Sequence, residues 1–315
     1  MADTLTTTTQ VDPAVAIYYD RVLLMAAFPN LVYEQFATQK PLPEKSGNTA
    51  KFRRYSNLSP ATTPMIDGAV PPGSQLSKTD LTARVSQYGD YVHITDVVSL
   101  TVEDDALNVA TEKLGKQMAQ TRDQLIRDIL AACASSTNAS GGSNGNTPTE
   151  LTKADIEGIV KTLVGNDAEF YTPPILAGSG VGTSPIGEAF WGILSTALVD
   201  DIADVDGFVN AFEYPKQQNM MKGEWGATGR VRWVISSVGT YTTGSPTQYY
   251  LPILGKEAFA LTDLQGATAQ SIIKAYGSAG TADPLNQKAT AGWKMMMVAR
   301  ILNDNFMHIL KVTHS

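Results

Sequence analysis

Residues 70–96, VPPGSQLSKTDLTARVSQYGDYVHITD, limit the possible folds more than any other stretch of the chain. They stay extended well past the roughly 5 to 6 residues of an ordinary strand. Leu81, Ala83 and Val85 share one face, but around Tyr88, Gly89 and Asp90 the apolar phase passes to Tyr88, Val92 and Ile94. A one-residue change of phase beside a glycine is a β-bulge signature, so the sequence predicts a bend at Tyr88-Gly89-Asp90. Upstream, AKFRRYSNL (50–58) also alternates, with Ala50, Phe52 and Arg54 opposite Lys51, Arg53 and Tyr55. The stretch between them, SPATTPMIDGAVPPGSQ, contains four prolines and two glycines and reads as a long punctuated loop. The two strands and their tip form one predicted hairpin. Isolated hairpins are marginal in water, so this one needs a surface to lie on.

Elements before and after the hairpin follow from periodicity. The apolar run Val15 to Phe28 predicts a short helix ended by Pro29, and the proline-punctuated LVYEQFATQKPLPEKSGNT predicts an arm without a core element. From Thr101 the period becomes helical. Thr101 and Asp104 have capping-box spacing, and Leu107, Ala110, Leu114, Met118, Leu125, Ile129 and Ala132 form a one-sided stripe, with Gly115 a mild flaw. Residues 134–150 are polar and low in complexity, predicting an exposed loop. Thr152 and Asp155 open a second helix with Ile156, Ile159, Val160 and Leu163 on one face and Gly165 at its end. GEAFWGILSTALVDDI predicts a further helix. RVRWVISS, QYYLPILG, ATAGWKMMMVARILN and FMHILKVTH predict strands, and the class is α+β.

Composition narrows the function. Charged residues are 17% of 315 and the net charge is −7, which argues against a nucleic-acid surface built on a basic face. The charge is unevenly placed: residues 40–85 carry seven bases against three acids, while 101–210 carry sixteen acids against six bases. Such an arm and body either attract each other, within or between molecules, or are separately solvated. Cys133 is the single cysteine, excluding an intrachain disulfide and predicting a buried thiol. No apolar run approaches the ~18 residues of a membrane helix. The start, MADTLTTTTQVDP, lacks the basic and apolar regions of a secretory signal, so synthesis in the cytoplasm is expected.

No catalytic signature appears. His93, His308 and His314 lack a second ligand at metal-site spacing. A hydrolytic triad using His93 or His308 with distant residues stays open, although no GxSxG elbow supports it. GSGVGTSP (178–185) lacks the ending of a phosphate loop and predicts a flexible loop. Asp200, Asp201, Asp204 and Asp206 lack calcium-loop spacing and predict a solvated turn, and the Met295–Met297 run predicts alternating core filling. The expectation is therefore no enzyme, no cofactor and no metal.

Four blocks carry a resemblance: FPNLVYEQFATQKPLPEKSGNTAKFRRYSNL, VSQYGDYVHITDVVSLT, SPIGEAFWGIL and AYGSAGTADPLNQKATAGWKMMMVARILND. Through them the chain resembles the tailed-bacteriophage major capsid proteins. That resemblance implies the capsid fold shared with the herpesvirus floor. Residues 1–45 would be an N-terminal arm, 46–98 an extended β-hairpin loop, and 99–164 a spine helix with the first part of a peripheral domain. Residues 165–255 would be an axial domain, and 256–315 strands returning to the peripheral domain. It further implies self-assembly into hexamers and pentamers of an icosahedral virion head around double-stranded DNA, without sequence-specific binding and without a membrane. Portal, scaffolding and decoration proteins would be partners. An encapsulin-like nanocompartment shell is the alternative of the same fold. Lys51, Arg53, Arg54 and Arg84 on the basic hairpin are the candidate intersubunit contacts.

Overall fold

The computed structural model describes residues 31–314 except 66, 69–72, 102–105, 141–146, 177–184, 216–219, 245 and 279–282. The expected helix over 15–28 and most of the GSGVGTSP loop lie outside the described residues. So does Asp104, with its proposed cap.

The first strands are β1 (Thr38–Gln39), β2 (Thr49–Tyr55), β3 (Lys78–Arg84) and β4 (Ser86–Thr95): β2 and β3 pair as the expected hairpin, while β1 and β4 join a larger sheet. Helix α1 (Asp96–Thr101) begins five positions before the expected start, with the Asp96 carboxylate accepting the Val97 N–H. Helix α2 (Ala106–Ala131) follows. Its buried face runs through Leu114, Met118, Ile126 and Leu130, with the expected Leu107, Leu125 and Ile129 packed half-buried beside it and Ala132 exposed, and it also buries Gly115, Arg122 and Asp123. The stripe widens after Met118, where Leu125 and Ile126, and Ile129 and Leu130, all reach the same core.

Residues 134–150 are not wholly loop. β5 (Ser136–Asn138) adds a parallel edge to a terminal strand. Helix α3 (Lys153–Gly165) opens with the expected reciprocal Thr152–Asp155 cap. It buries Ile156, Ile159 and Leu163, and the left-handed residue beyond its end is Asp167 rather than Gly165.

The expected helix in GEAFWGILSTALVDDI is half wrong. Phe190–Ser195 is strand β6, buried at all six positions, and only Thr196–Leu198 and α4 (Val199–Ala203) are helical. A short continuous apolar run has no period to separate a central strand from a buried helix. Gly192 fits this strand: a Cβ there would lie 2.4 Å from the Trp233 ring.

The remaining strands are β7 (Phe208–Asn210), β8 (Glu224–Thr228), β9 (Val231–Ser236), β10 (Thr240–Thr242), β11 (Gln248–Leu254), β12 (Phe259–Asp263), β13 (Gln270–Lys274), β14 (Lys288–Ile301) and β15 (Met307–Thr313). One sheet runs β1-β12-β14-β13, with β4 on the other edge of β14. The second runs β5-β15-β11-β6-β9-β8-β7, with β10 beside β11. Helix α2 packs on the first sheet, where Trp293, Met295 and Met297 face it while Met296 is half-buried on the other side. Helix α3 packs on the second, against Phe190, Trp233, Leu251 and Leu310.

Candidate assembly interface

The hairpin has two unlike faces. Below, Ala50, Phe52 and Ala83 are buried with Ala260, flanked by Leu81, Val298 and Leu302. Arg54 lies on this underside and donates to Asn303 Oδ1 and the Leu302 carbonyl, while Lys40 sits 5.0 Å over the Phe52 ring. Above, the register sets Thr49 opposite Arg84, Lys51 opposite Thr82, Arg53 opposite Asp80 and Tyr55 opposite Lys78. Directly paired residues share a face. The exposed side therefore carries Lys51, Arg53, Lys78 and Arg84 against one acid, Asp80. Arg53 Nε donates to Asp80 Oδ1 at 3.0 Å, and this bond holds the Asp80 carboxyl below its ordinary range. Both partners are solvated, so the pair marks register more than it stabilises.

The paired strands end at Tyr55 and Lys78, and one further bond runs from Ser56 N–H to the Ser77 carbonyl. At and beyond that limit Tyr55, Leu58, Met65 and Leu76 are exposed by 54%, 51%, 78% and 65%. Apolar side chains this exposed make the hairpin end a candidate contact surface, as Leu176, Phe212 and Leu285 make theirs.

The predicted bend at Tyr88, Gly89 and Asp90 is corrected. The β4–β14 pairing keeps one register from Ser86↔Met297 to Thr95↔Lys288, without a bulge. The break falls at Val85, whose N–H donates to the Asn48 carbonyl as the chain leaves β2 for β14. The phase change is real but belongs to this exchange of partners. Gly89 serves close strand approach, since a Cβ there would lie 2.6 Å from the Trp293 carbonyl oxygen. Asp90 ties the returning limb to α2. Its Oδ2 accepts from Gln117 Nε2 at 2.6 Å, and Gln117 Oε1 accepts from Trp293 Nε1 at 3.0 Å. The Gln117 and Tyr91 N–H bonds hold the Asp90 carboxyl below its usual range.

The histidines do not converge. His93 stands in β4, edge-on to the Tyr91 ring at 4.9 Å, and His308 stands in the other sheet with Nε2 3.1 Å from Thr137 Oγ1. Burial lowers the His308 pKa. His314 Nδ1 lies 2.8 Å from Asp201 Oδ2, a bond that raises the imidazole pKa. Asp206 pairs with Lys153 at 3.5 Å. Among the described residues no group of three acids, histidines or cysteines could hold a metal ion. Cys133 is buried, which pushes its thiol up to about 11.

The arm root corrects a further expectation. Residues 33–36, YEQF, form a short 3-10 helix whose Tyr33 and Phe36 are each 1% exposed in the core beneath α2. Thr38 and Gln39 then pair in parallel with Ala260 and Leu261. Arg122 donates Nε and Nη2 to Glu34 at 2.8 and 2.7 Å, and Nη2 also to Asp263 at 2.7 Å. Asp123 Oδ2 accepts the Val32 N–H at 2.8 Å. The available signal was the charged pair Arg122-Asp123 interrupting an apolar helix stripe.

A sequence profile described as phage capsid protein matches residues 78–312. No curated protein sequence matches the chain. Among solved structures it is similar to the capsid of Ralstonia phage GP4, at 12% identity and TM-score 0.63, over 89% of this chain and 87% of that one. The head of Helicobacter pylori bacteriophage KHP40 gives 11% and 0.62 over 90% and 88%. The capsid of cyanophage P-SCSP1u gives 13% and 0.60 over 90% and 89%. The fold is therefore that of the tailed-phage capsid proteins, and the profile covers well over half the sequence. This chain belongs to the phage capsid protein family.

Proposed function

We propose that this protein is the major capsid protein of a phage head, whose copies form hexamers and pentamers of an icosahedral shell around double-stranded DNA. The observation that carries the reading is the hairpin: its underside is satisfied within the chain, while its apolar end at Leu58, Met65 and Leu76 is exposed. Laying that end across the next copy buries it, and repetition over a closed lattice sums many modest contacts. The open half of the β4–β14–β13 face offers a seat, a shallow groove of about 740 Å³ with Tyr91, Ile272, Gly292 and Lys294 in its lining. In this reading the arm, extended loop, spine helix, peripheral domain and axial domain follow the order that the sequence resemblance implies, with the projecting part of the extended loop ending before β4. Portal, scaffolding and decoration proteins complete the head. The role is structural and non-enzymatic, and the family match favours a phage head over a nanocompartment shell. The net charge of −7 suits a container that encloses DNA without gripping its phosphates.

Electron microscopy of the purified protein tests this: capsomers or closed shells are expected, and a persistent monomer across assembly conditions would overturn it. The electrostatic part has its own test. Arg53 and Arg54 have partners within the chain, so Lys51 and Arg84 are the informative pair for contact with an acidic surface of the neighbour. Lys51→Glu with Arg84→Glu should lower shell yield and make it more sensitive to salt, and wild-type yield would remove these residues from the interface.

A further inference from the structure

The buried joint between arm, helix and sheet holds more negative charge than it can neutralise. Glu34 from the arm root and Asp263 from β12 share a single guanidinium, Arg122, while the neighbouring Asp123 of α2 accepts the Val32 N–H by its side chain. Arg122 spends its bonds on Glu34 and Asp263, and neither Asp123 Oδ1 nor Asp263 Oδ1, both buried, has a hydrogen-bond partner. Asp123 is 1% exposed. A buried carboxylate without a cation costs more than the same group protonated. The groups acting on Asp123 are the Val32 and Tyr33 N–H and the Glu34 carboxylate from the arm and Arg122 from its own helix, while Arg127 and Asp128 act on the Tyr33 side chain. Asp263 pairs with Arg122 rather than with Asp123.

We propose that this cluster is a proton-linked latch: a proton on Asp123 tightens the arm root onto α2, and its loss loosens that root. Protonation at Oδ1 removes one buried charge and leaves Oδ2 free to keep accepting the Val32 N–H. Burial, the largest cause, raises the Asp123 pKa from 3.8 to about 7, against the lowering effect of the Val32 and Tyr33 N–H groups. The sign follows from linkage. The docked state holds its proton at higher pH than the undocked state, so docking is strongest at acid pH and weakens as pH rises through about 7. The latch stands on the fold of one chain and is independent of the assembly reading.

Hydrogen exchange of the full-length protein, corrected for intrinsic rates, tests it on the peptide covering residues 31–37. Protection should rise about tenfold from pH 7.5 to pH 6, and in Asp123→Asn, which keeps the acceptor without the charge, the pH dependence should vanish. An equal slope in both proteins, or none in the wild type, would overturn the proposal. Infrared titration of the wild type covers the case in which the variant does not fold. A protonated-carboxyl band that disappears as pH rises through about 7 supports the latch, and no such band between pH 5 and 9 refutes it.

Discussion

The arm root and the hairpin both look like projecting segments in the sequence, and they end in opposite places. Tyr33 and Phe36 are 1% exposed beneath α2, while Met65 and Leu76 at the hairpin end are 78% and 65% exposed. The first segment completes its burial inside the chain. The second buries only its underside, and the described apolar residues of its end stay exposed. Proline content does not separate the two cases. What separates them is the partner: the arm root has an ion cluster and the β12 edge, and among the described residues the hairpin end has neither.

The largest effect expected from breaking this contrast is Phe36→Ala, which should cost about 3 to 5 kcal/mol in denaturant unfolding. A loss below 1 kcal/mol would place the arm root on the surface beside the hairpin. Next comes Arg122→Met, which leaves Glu34 and Asp263 buried without their cation. It should cost roughly 3 kcal/mol at neutral pH, recovered in part as pH falls and carboxyls protonate. Thr152→Ala removes the cap of α3 and should cost ~1 kcal/mol in the same assay, a control on a helix that packs in a different core cluster. The smallest effect is at the hairpin end, where Met65→Ser should change single-chain stability by no more than about 0.5 kcal/mol. Its cost should appear as lower shell yield.

What the sequence revealed was local. β2, β3 and β14 show in their two-residue alternation, α2 in its helical stripe, and α3 in the Thr152–Asp155 cap. Elements set by distant partners were hidden. The YEQF turn is too short to have a period, and the Asp123 that holds Val32 is 91 positions away. β6 was hidden by the opposite problem, since burial on both faces leaves no alternation to read. The bend illustrates a third limit: alternation recorded that the strand changes face, but only the pairing shows that it does so at Val85, where it exchanges β2 for β14. Of the four basic contact candidates, sequence could not foresee that Arg53 and Arg54 would be engaged within the chain.

The central claim is that the hairpin end is covered by a neighbouring copy on assembly, and footprinting of assembled and dissociated protein addresses it most directly. Hydroxyl-radical labelling at Leu58, Met65, Leu76 and Phe36 should show the three hairpin residues protected on assembly, with Phe36 unreactive in both states. Hairpin residues as reactive in closed shells as in free subunits would contradict the account.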